Sequence, residues 1–346
     1  MKNIIITLFA TTILFTSVNI LSSSTVITIN SLKQHREAFY YLNHLRTFAG
    51  LNFLFQNDYL DEASLNHANY LVKNRVFGHI QDRSLSYFTG ERPIDRIYHV
   101  GYKSTQIIEN ISSNAKSYKE SIDGLFSAIY HRFAFLDFSI SEIGIGVVFD
   151  KSNMRQNAFV YNMGNSQLSK LCLEQKKGCV LRKNLQLPYQ EFISAINWKK
   201  ISNPKVVVYP YANQKDVPTS FFQEDPDPLP YHDVKGFPIS IQFNDYYANN
   251  IKIKSFELFD AQNNRVNSIF IDEMTDVNQL FKKGEFAIYP IEKLNSSSYY
   301  HVRVTYILNN RFFLKEWFFF TQNREHDEKL ITFFNFIKKS YDKIQA

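Results

Sequence analysis

Apolar positions recur at helical steps in the first part of the chain and at strand steps in the last part. Over residues 32 to 50, Phe39, Leu42, Leu45 and Phe48 return every three residues and Gly50 is a natural stop, which predicts a helix. Leu60, Ala63, Leu65, Ala68 and Leu71 predict a second helix over Leu60–Arg75, with Asp58 as its N-cap. Residues 76 to 116 show no clear period and carry turn signals at Gly78, Gly90-Glu91-Arg92-Pro93 and Gly101. A third helix is expected over Tyr118–Phe135. It is followed by two strands, Glu142–Phe149 and Asn157–Met163, joined as a hairpin by the polar run Asp150–Gln156. Residues 188 to 197 predict one more short helix.

From Pro204 the pattern changes. Short aromatic and β-branched runs alternate with Asn, Asp, Gly and Pro: Lys205–Tyr209, Ile239–Phe243, Ile251–Phe259, Phe286–Tyr289, Tyr299–Ile307 and Phe312–Thr321. Regular strands without intervening helices argue for a β-sandwich over residues 204–322. Pro226, Pro228 and Pro230 make a stiff entry segment. Residues 325–346 read as a terminal helix, with Leu330, Phe333, Phe334, Ile337, Tyr341 and Ile344 on one face. That face suits docking on the chain's own domains, or peripheral contact with a membrane surface.

The first residues bear on compartment. Lys2, the uncharged apolar run Ile4–Phe15 and Ser22-Ser23-Ser24 have the layout of a secretory signal peptide over residues 1–24; an uncleaved anchor is the alternative. Export is therefore expected, to the periplasm, the cell surface or the medium. The two cysteines, Cys172 and Cys179, then read as a disulfide closing a short loop, worth roughly 2–3 kcal/mol in the loop-entropy model.

Composition narrows the class without naming a ligand. At 346 residues, two domains are the natural division, here 32–200 and 204–322. With 45% hydrophobic and 21% charged residues the chain is an ordinary globular protein rather than a disordered one. A net charge of +6, spread along the chain, is a solvated surface with at most a mild preference for anionic envelopes. No nucleic-acid-binding motif is present, and neither are H-E-x-x-H, G-x-S-x-G or a P-loop. The S-x-x-K matches at Ser113 and Ser202 lack companion motifs and read as chance.

Several fragments stand in a telling order: Leu42-Asn43-His44-Leu45-Arg46 with Ala49-Gly50-Leu51, His67-Ala68-Asn69-Tyr70, Gly78-His79, Gly101-Tyr102, Glu109-Asn110-Ile111, His131-Arg132 and Gly144-Ile145-Gly146. Together they resemble the CAP superfamily, the SCP-like domains, and particularly its bacterial branch, over about residues 35 to 164. The resemblance implies an α+β protein: a CAP-type α–β–α sandwich, with two histidines and acidic residues lining a large cleft. His79, Glu109 and His131 match the family's cleft positions. It further implies that His79 and His131 hold a divalent metal such as zinc, or that the cleft takes a sterol or other lipid. Two neutral imidazoles suit such an ion, and a nearby carboxylate suits it too. One departure stands out. Many eukaryotic members carry a second cleft Glu after a Trp in the third helix, where this chain has Leu125-Phe126-Ser127-Ala128. On a single helix Glu120 and Asp123 would lie about 16 and 12 Å along the axis from His131, too far to replace it.

Other residues get blander readings. His67 is a packing histidine, and Asp95 and Arg96 form or support a structural salt bridge. His99, His232 and His301 carry no partner signal. Three functions follow as expectations. The first is a non-enzymatic module binding a metal, a lipid or an envelope ligand. The second is an extracytoplasmic hydrolase, peptidase-like, working through His79, Glu109 and His131. The third is an adhesion or structural protein acting through its C-terminal sandwich, which resembles the Ig-like domains of exported bacterial proteins.

Overall fold

The computed structural model describes residues 29–104, 106–150, 156–174, 189–221 and 224–323. The leader expected over residues 1–24, Cys179 with the expected disulfide, most of the 150–156 loop and the terminal helix expected over 325–346 lie outside them.

The N-terminal part has three layers. Its central sheet holds β1 (Phe55–Gln56), β2 (Ile107–Ser113), β3 (Glu142–Val148) and β4 (Ala158–Gly164), in the order β1-β3-β4-β2. β1 runs parallel to β3, while β3–β4 and β4–β2 are antiparallel. Side chains alternate across the sheet. Ile143, Ile145, Val147, Phe159, Tyr161 and Met163 share a core with α1 (Ile29–Phe48) and α4 (Tyr118–Ser127). On the other face Ala158 and Val160 pack under Ala68, Leu71 and Val72 of α2 (Asp58–Asn74). This mixed arrangement of helices and sheet is consistent with the α+β fold that the resemblance implies.

Gly144 and Gly146 set how close α2 comes to the sheet. A Cβ on Gly144 would stand 2.0 Å from the Leu60 carbonyl carbon, and one on Gly146 would stand 2.2 Å from that of Ser64. Only glycine permits this approach.

Several expectations need correction. The N-cap of α2 is Asn57, not Asp58. Asn57 is extended (φ −133°, ψ 118°) and its side chain accepts from the Leu60 N–H, while Asp58 and Asp61 sit in the first turn, where the helix dipole favours negative charge. The expected third helix is two helices, α4 and α5 (Ile129–Phe135), broken at Ala128 (ψ 117°). The break lets α5 begin afresh, so its Tyr130 and His131 N–H groups donate to Glu224 Oε1 at 3.0 and 3.3 Å. The unpatterned 76–116 segment contains α3 (Pro93–His99) and the edge strand β2. Two later helices are α6 (Ser166–Glu174), unanticipated, and α7 (Tyr189–Ser202), longer than expected.

The C-terminal part holds two four-stranded sheets. One has the order β5 (Val206–Tyr209), β7 (Ile239–Phe243), β10 (Glu285–Pro290), β9 (Ser268–Ile271); the other β6 (Gln214–Val217), β12 (Arg311–Thr321), β11 (Tyr299–Leu308), β8 (Ile251–Phe259). Pairing is antiparallel except for β6 with β12. β11 shows the alternation of a half-buried strand: Tyr300, Val302, Val304 and Tyr306 are buried. They meet Ile239, Ile241 and Phe243 of the other sheet in one apolar core, where the Phe243 and Tyr306 rings stand 4.9 Å apart. β6 and β9 were not anticipated; they are only four residues each, too short to show a period.

Arg132 ties the two parts together. Fully buried, it donates to Phe126 O at 2.6 Å and to Pro238 O at 2.7 Å, and lies over the Tyr209 and Phe237 rings at 5.0 and 4.9 Å. Burial lowers its pKa to about 10, so the guanidinium stays charged at neutral pH. Tyr130 Oη donates to Asp276 at 2.5 Å and Lys282 pairs with Asp137 at 3.1 Å across the same boundary.

Candidate functional site: two histidines across an edge strand

The site is built on β2, the sheet's edge strand. Its residues alternate: Glu109 lies on the face of α2 and α3, and Asn110 on the face of α5. His79 reaches Glu109 by a turn. α2 ends at Arg75 in the left-handed region, and Gly78 takes φ +96°, a conformation glycine adopts without strain. The chain thus doubles back over the strand. His79 Nδ1 then lies 2.9 Å from Glu109 Oε1, with the imidazole 46% exposed and the carboxylate only 2%.

Glu109 has a second, stronger partner. Arg96 Nη2 donates to Oε1 at 2.8 Å and to Oε2 at 2.9 Å, and Arg96 Nη1 donates to the His79 carbonyl at 2.8 Å. Asp95 and Arg96 do take part in salt bridges, but with Arg92 and Glu109 rather than with each other. Asp95 pairs with Arg92 and closes a capping box at the start of α3, which frees Arg96 to turn inward. Burial pushes the Glu109 pKa upward, but the His79 hydrogen bond and Arg96 outweigh it, and the net direction is below the ordinary carboxylate value. Glu109 is therefore an anchor that is ionised at neutral pH.

His67 belongs to the same cluster without acting as a cation. Its side chain is fully buried. Nε2 donates to Gly78 O at 3.1 Å and Nδ1 accepts from Gln81 Nε2 at 2.9 Å, which satisfies a neutral ring. Burial lowers its pKa to about 4. It holds the Gly78 turn and so positions His79.

His131 stands on the other side of β2. Asn110 Nδ2 donates to its carbonyl at 2.9 Å, and its Nδ1 lies 2.8 Å from Oε1 of Glu224, a residue of the C-terminal part. Among the described residues no hydrogen bond or ion pair joins His131 to His79 or Glu109. The structure thus joins His79 to Glu109, and gives His131 a different carboxylate. Glu120 accepts from the Lys116 N–H, and Asp123 accepts from Tyr41 Oη and pairs with Lys119; neither approaches His131. With α4 and α5 separate, spacing along one axis is no longer the reason; these acids are occupied elsewhere.

The two imidazoles share one chemical feature. Each has a carboxylate at Nδ1, so in a neutral ring Nδ1 carries the proton and Nε2 the lone pair. Histidines that bind metals are oriented this way. A resident ion would find little else. Both Glu109 oxygens are held by Arg96, and no group of three or more His, Cys, Asp or Glu among the described residues could hold a metal ion. These side chains offer two nitrogen donors rather than a complete metal centre.

Arg96, Asn110 and Glu224 were given no site role from sequence. A Pro at the first turn with Asp three residues after Arg92 marks a helix start that would have placed Arg96. Nothing local signals Glu224, because its partner is 93 residues away.

Residues 39–163 match the family model described as CAP, the cysteine-rich secretory protein family, so this stretch is a CAP domain. Among solved structures, an outer surface protein of Borrelia burgdorferi is 19% identical with a TM-score of 0.35, over 39% of this chain and 95% of that one. An extracellular protein containing an SCP domain, from Bacillus anthracis, is 19% identical with a TM-score of 0.33, over 38% of this chain. A cysteine-rich secretory protein of Staphylococcus aureus is 16% identical with a TM-score of 0.31, over 39% of this chain. The match spans 40% of each of the latter two proteins. No curated protein matches the chain. No helix of the described residues is long and apolar enough to cross a membrane.

Proposed function

We propose that this is an exported bacterial binding protein whose CAP domain takes an envelope ligand, without turning it over, through the Nε2 atoms of His79 and His131. One observation carries this reading. Glu109, the carboxylate that acid–base work would require, is 2% exposed, doubly bonded by Arg96 and held below its ordinary pKa. A general acid or base needs a pKa near the working pH and a free oxygen within reach of the substrate. Glu109 has neither, and orients His79 instead. An imidazole with a fixed Nε2 lone pair accepts a hydrogen bond from a ligand hydroxyl or amide, the groups that lipid headgroups and envelope polymers present. Export rests on the leader-like first residues and on the described settings of the similar proteins, outer surface and extracellular. The C-terminal part, read as an Ig-like sandwich, supplies Glu224 and so fixes His131.

Cosedimentation of the full chain with isolated bacterial envelopes tests the proposal. Wild type should pellet, and a His79→Ala/His131→Ala variant should do so at least fivefold less. Equal pelleting overturns the reading. The hydrolase alternative keeps one feature, the carboxylate-oriented base at His79; peptide turnover abolished by His79→Ala would favour it.

A further inference from the structure

One cavity lies away from the His79 and His131 site. It has a volume of about 570 Å³ and opens between α1 and α4 of the CAP domain and the β5–β6 segment of the C-terminal part. That size falls within the roughly 300–1,000 Å³ of small-ligand sites, which often lie at domain boundaries.

Its lining has a particular composition. Aromatic rings run from rim to floor in a connected series. His44 stands 4.3 Å from Phe48, Phe48 5.3 Å from Tyr211, Tyr211 6.3 Å from Tyr209 and Tyr209 4.8 Å from Phe126. Phe48 is 57% exposed at the rim, whereas Phe126 and Tyr209 are buried at the floor. Between the rings stand charged groups that offset one another: Lys119 with Asp123, and Lys215 beside Asp216. Tyr41 Oη donates to Asp123 at 2.6 Å and fixes its carboxylate toward the cavity wall.

These features select among ligand classes. Two lysines against two acids leave no net pull on an anion or a cation, which disfavours phosphates, nucleic acids and polyamines. Charged walls within an open groove would desolvate at a cost against a fatty chain or a sterol. A ligand with apolar faces and a polar, neutral edge meets both demands. The faces stack on a line of rings, and the hydroxyls bond to the charged groups of the wall, among them the Lys119–Asp123 pair already held in place. Pyranose sugars have this form, and the serial arrangement of rings suits consecutive sugar units.

We infer that the cleft between the two parts of the chain is a binding site for a short neutral oligosaccharide, with Phe48 and Tyr211 as its stacking platforms. It is separate from the histidine site and does not depend on it.

Calorimetric and saturation-transfer NMR titrations of the full chain with cellotriose, maltotriose and chitotriose test the inference. At least one should bind in the millimolar range or tighter, with transfer from aromatic protons. Phe48→Ala and Tyr211→Ala should each weaken that binding at least fivefold. Phe55→Ala removes an exposed ring on β1, outside the cavity lining, and should leave it unchanged, as should His79→Ala. Because Phe48 is mostly exposed its variant should keep the wild-type melting temperature, and Phe48→Trp should restore binding if Phe48→Ala melts early. No binding of any of the three sugars overturns the inference, as does binding that both rim variants leave intact. Binding of a fluorescent fatty acid at the same rings, in place of the sugars, overturns it too.

Discussion

Arg96 and Glu109 form a two-pronged ion pair in which neither side chain is more than 2% exposed. Such a pair matters most when half of it is removed, because the remaining charge is left in a poorly solvating interior. Arg96→Ala should destabilise the CAP domain by about 3–5 kcal/mol in urea unfolding. Arg96→Lys keeps the charge but loses the fork, and should recover only part of that. A variant equal to wild type would show that the pair is not formed in solution.

The two faces of β2 differ in what they ask of their histidines, and Glu224 decides one of them. Glu224→Gln should leave the α5 amides capped but weaken the hold on His131 Nδ1, whereas Glu224→Ala uncaps the helix as well. The expected cost of the alanine variant is at least ~1 kcal/mol, typical of a lost cap. Nitrogen-15 NMR should show His131 protonated at Nδ1 in wild type and mixed between tautomers in either variant; an unchanged tautomer in both would remove Glu224 from the site.

His67 makes stability sensitive to acid. Its pKa falls from 6.5 to about 4 on folding because of burial, so the unfolded chain binds more protons between those values. Stability from this group is full above pH 6.5 and is lost as pH falls toward 4, by roughly 3 kcal/mol in all. His67→Gln should flatten the acid limb of a stability–pH curve, provided the amide keeps its bonds to Gly78 and Gln81.

Glu285 has the opposite sign. Burial raises its pKa from 4.5 to about 7, so here the folded chain binds more protons, and stability declines as pH rises through that window. Glu285→Gln should be more stable than wild type above pH 7, by up to about 3 kcal/mol, and equal to it near pH 4. A constant difference across that range would show that Glu285 does not titrate there.

Gly144→Ala should be among the most damaging single-methyl changes. The added carbon meets backbone of α2, which cannot rotate away as a side chain would. The cost should reach or exceed the ~1–3 kcal/mol of ordinary overpacking, read as a fall in melting temperature.

The parts of this fold that were legible in sequence are those with long periods. α1, α2, β3, β4, β11 and β12 each span enough residues to show a face. The short elements α3, β6 and β9 do not, and β2 is only half-buried, so its Ile-Ile-Glu-Asn-Ile run has no clean alternation. The break at Ala128 was invisible because the acceptor of the freed α5 amides, Glu224, is a tertiary partner; alanine itself favours a continuous helix. At the site, His79 and Glu109 came from the family pattern, and the pattern also grouped His131 with them. That grouping carries no information about which carboxylate each imidazole touches.

Glu224 reaches His131 from the far side of the domain boundary, and this bears on how the chain can be divided for experiment. A fragment ending near residue 203 would retain every motif by which the CAP domain is identified. It would nonetheless hold one imidazole with its partner and one without, and expose Arg132 where it now meets Pro238. Proton positions at the two histidines would no longer match. Ligand surveys made on an excised CAP domain would thus be probing a different molecule, and a negative result from one would say little about the intact protein.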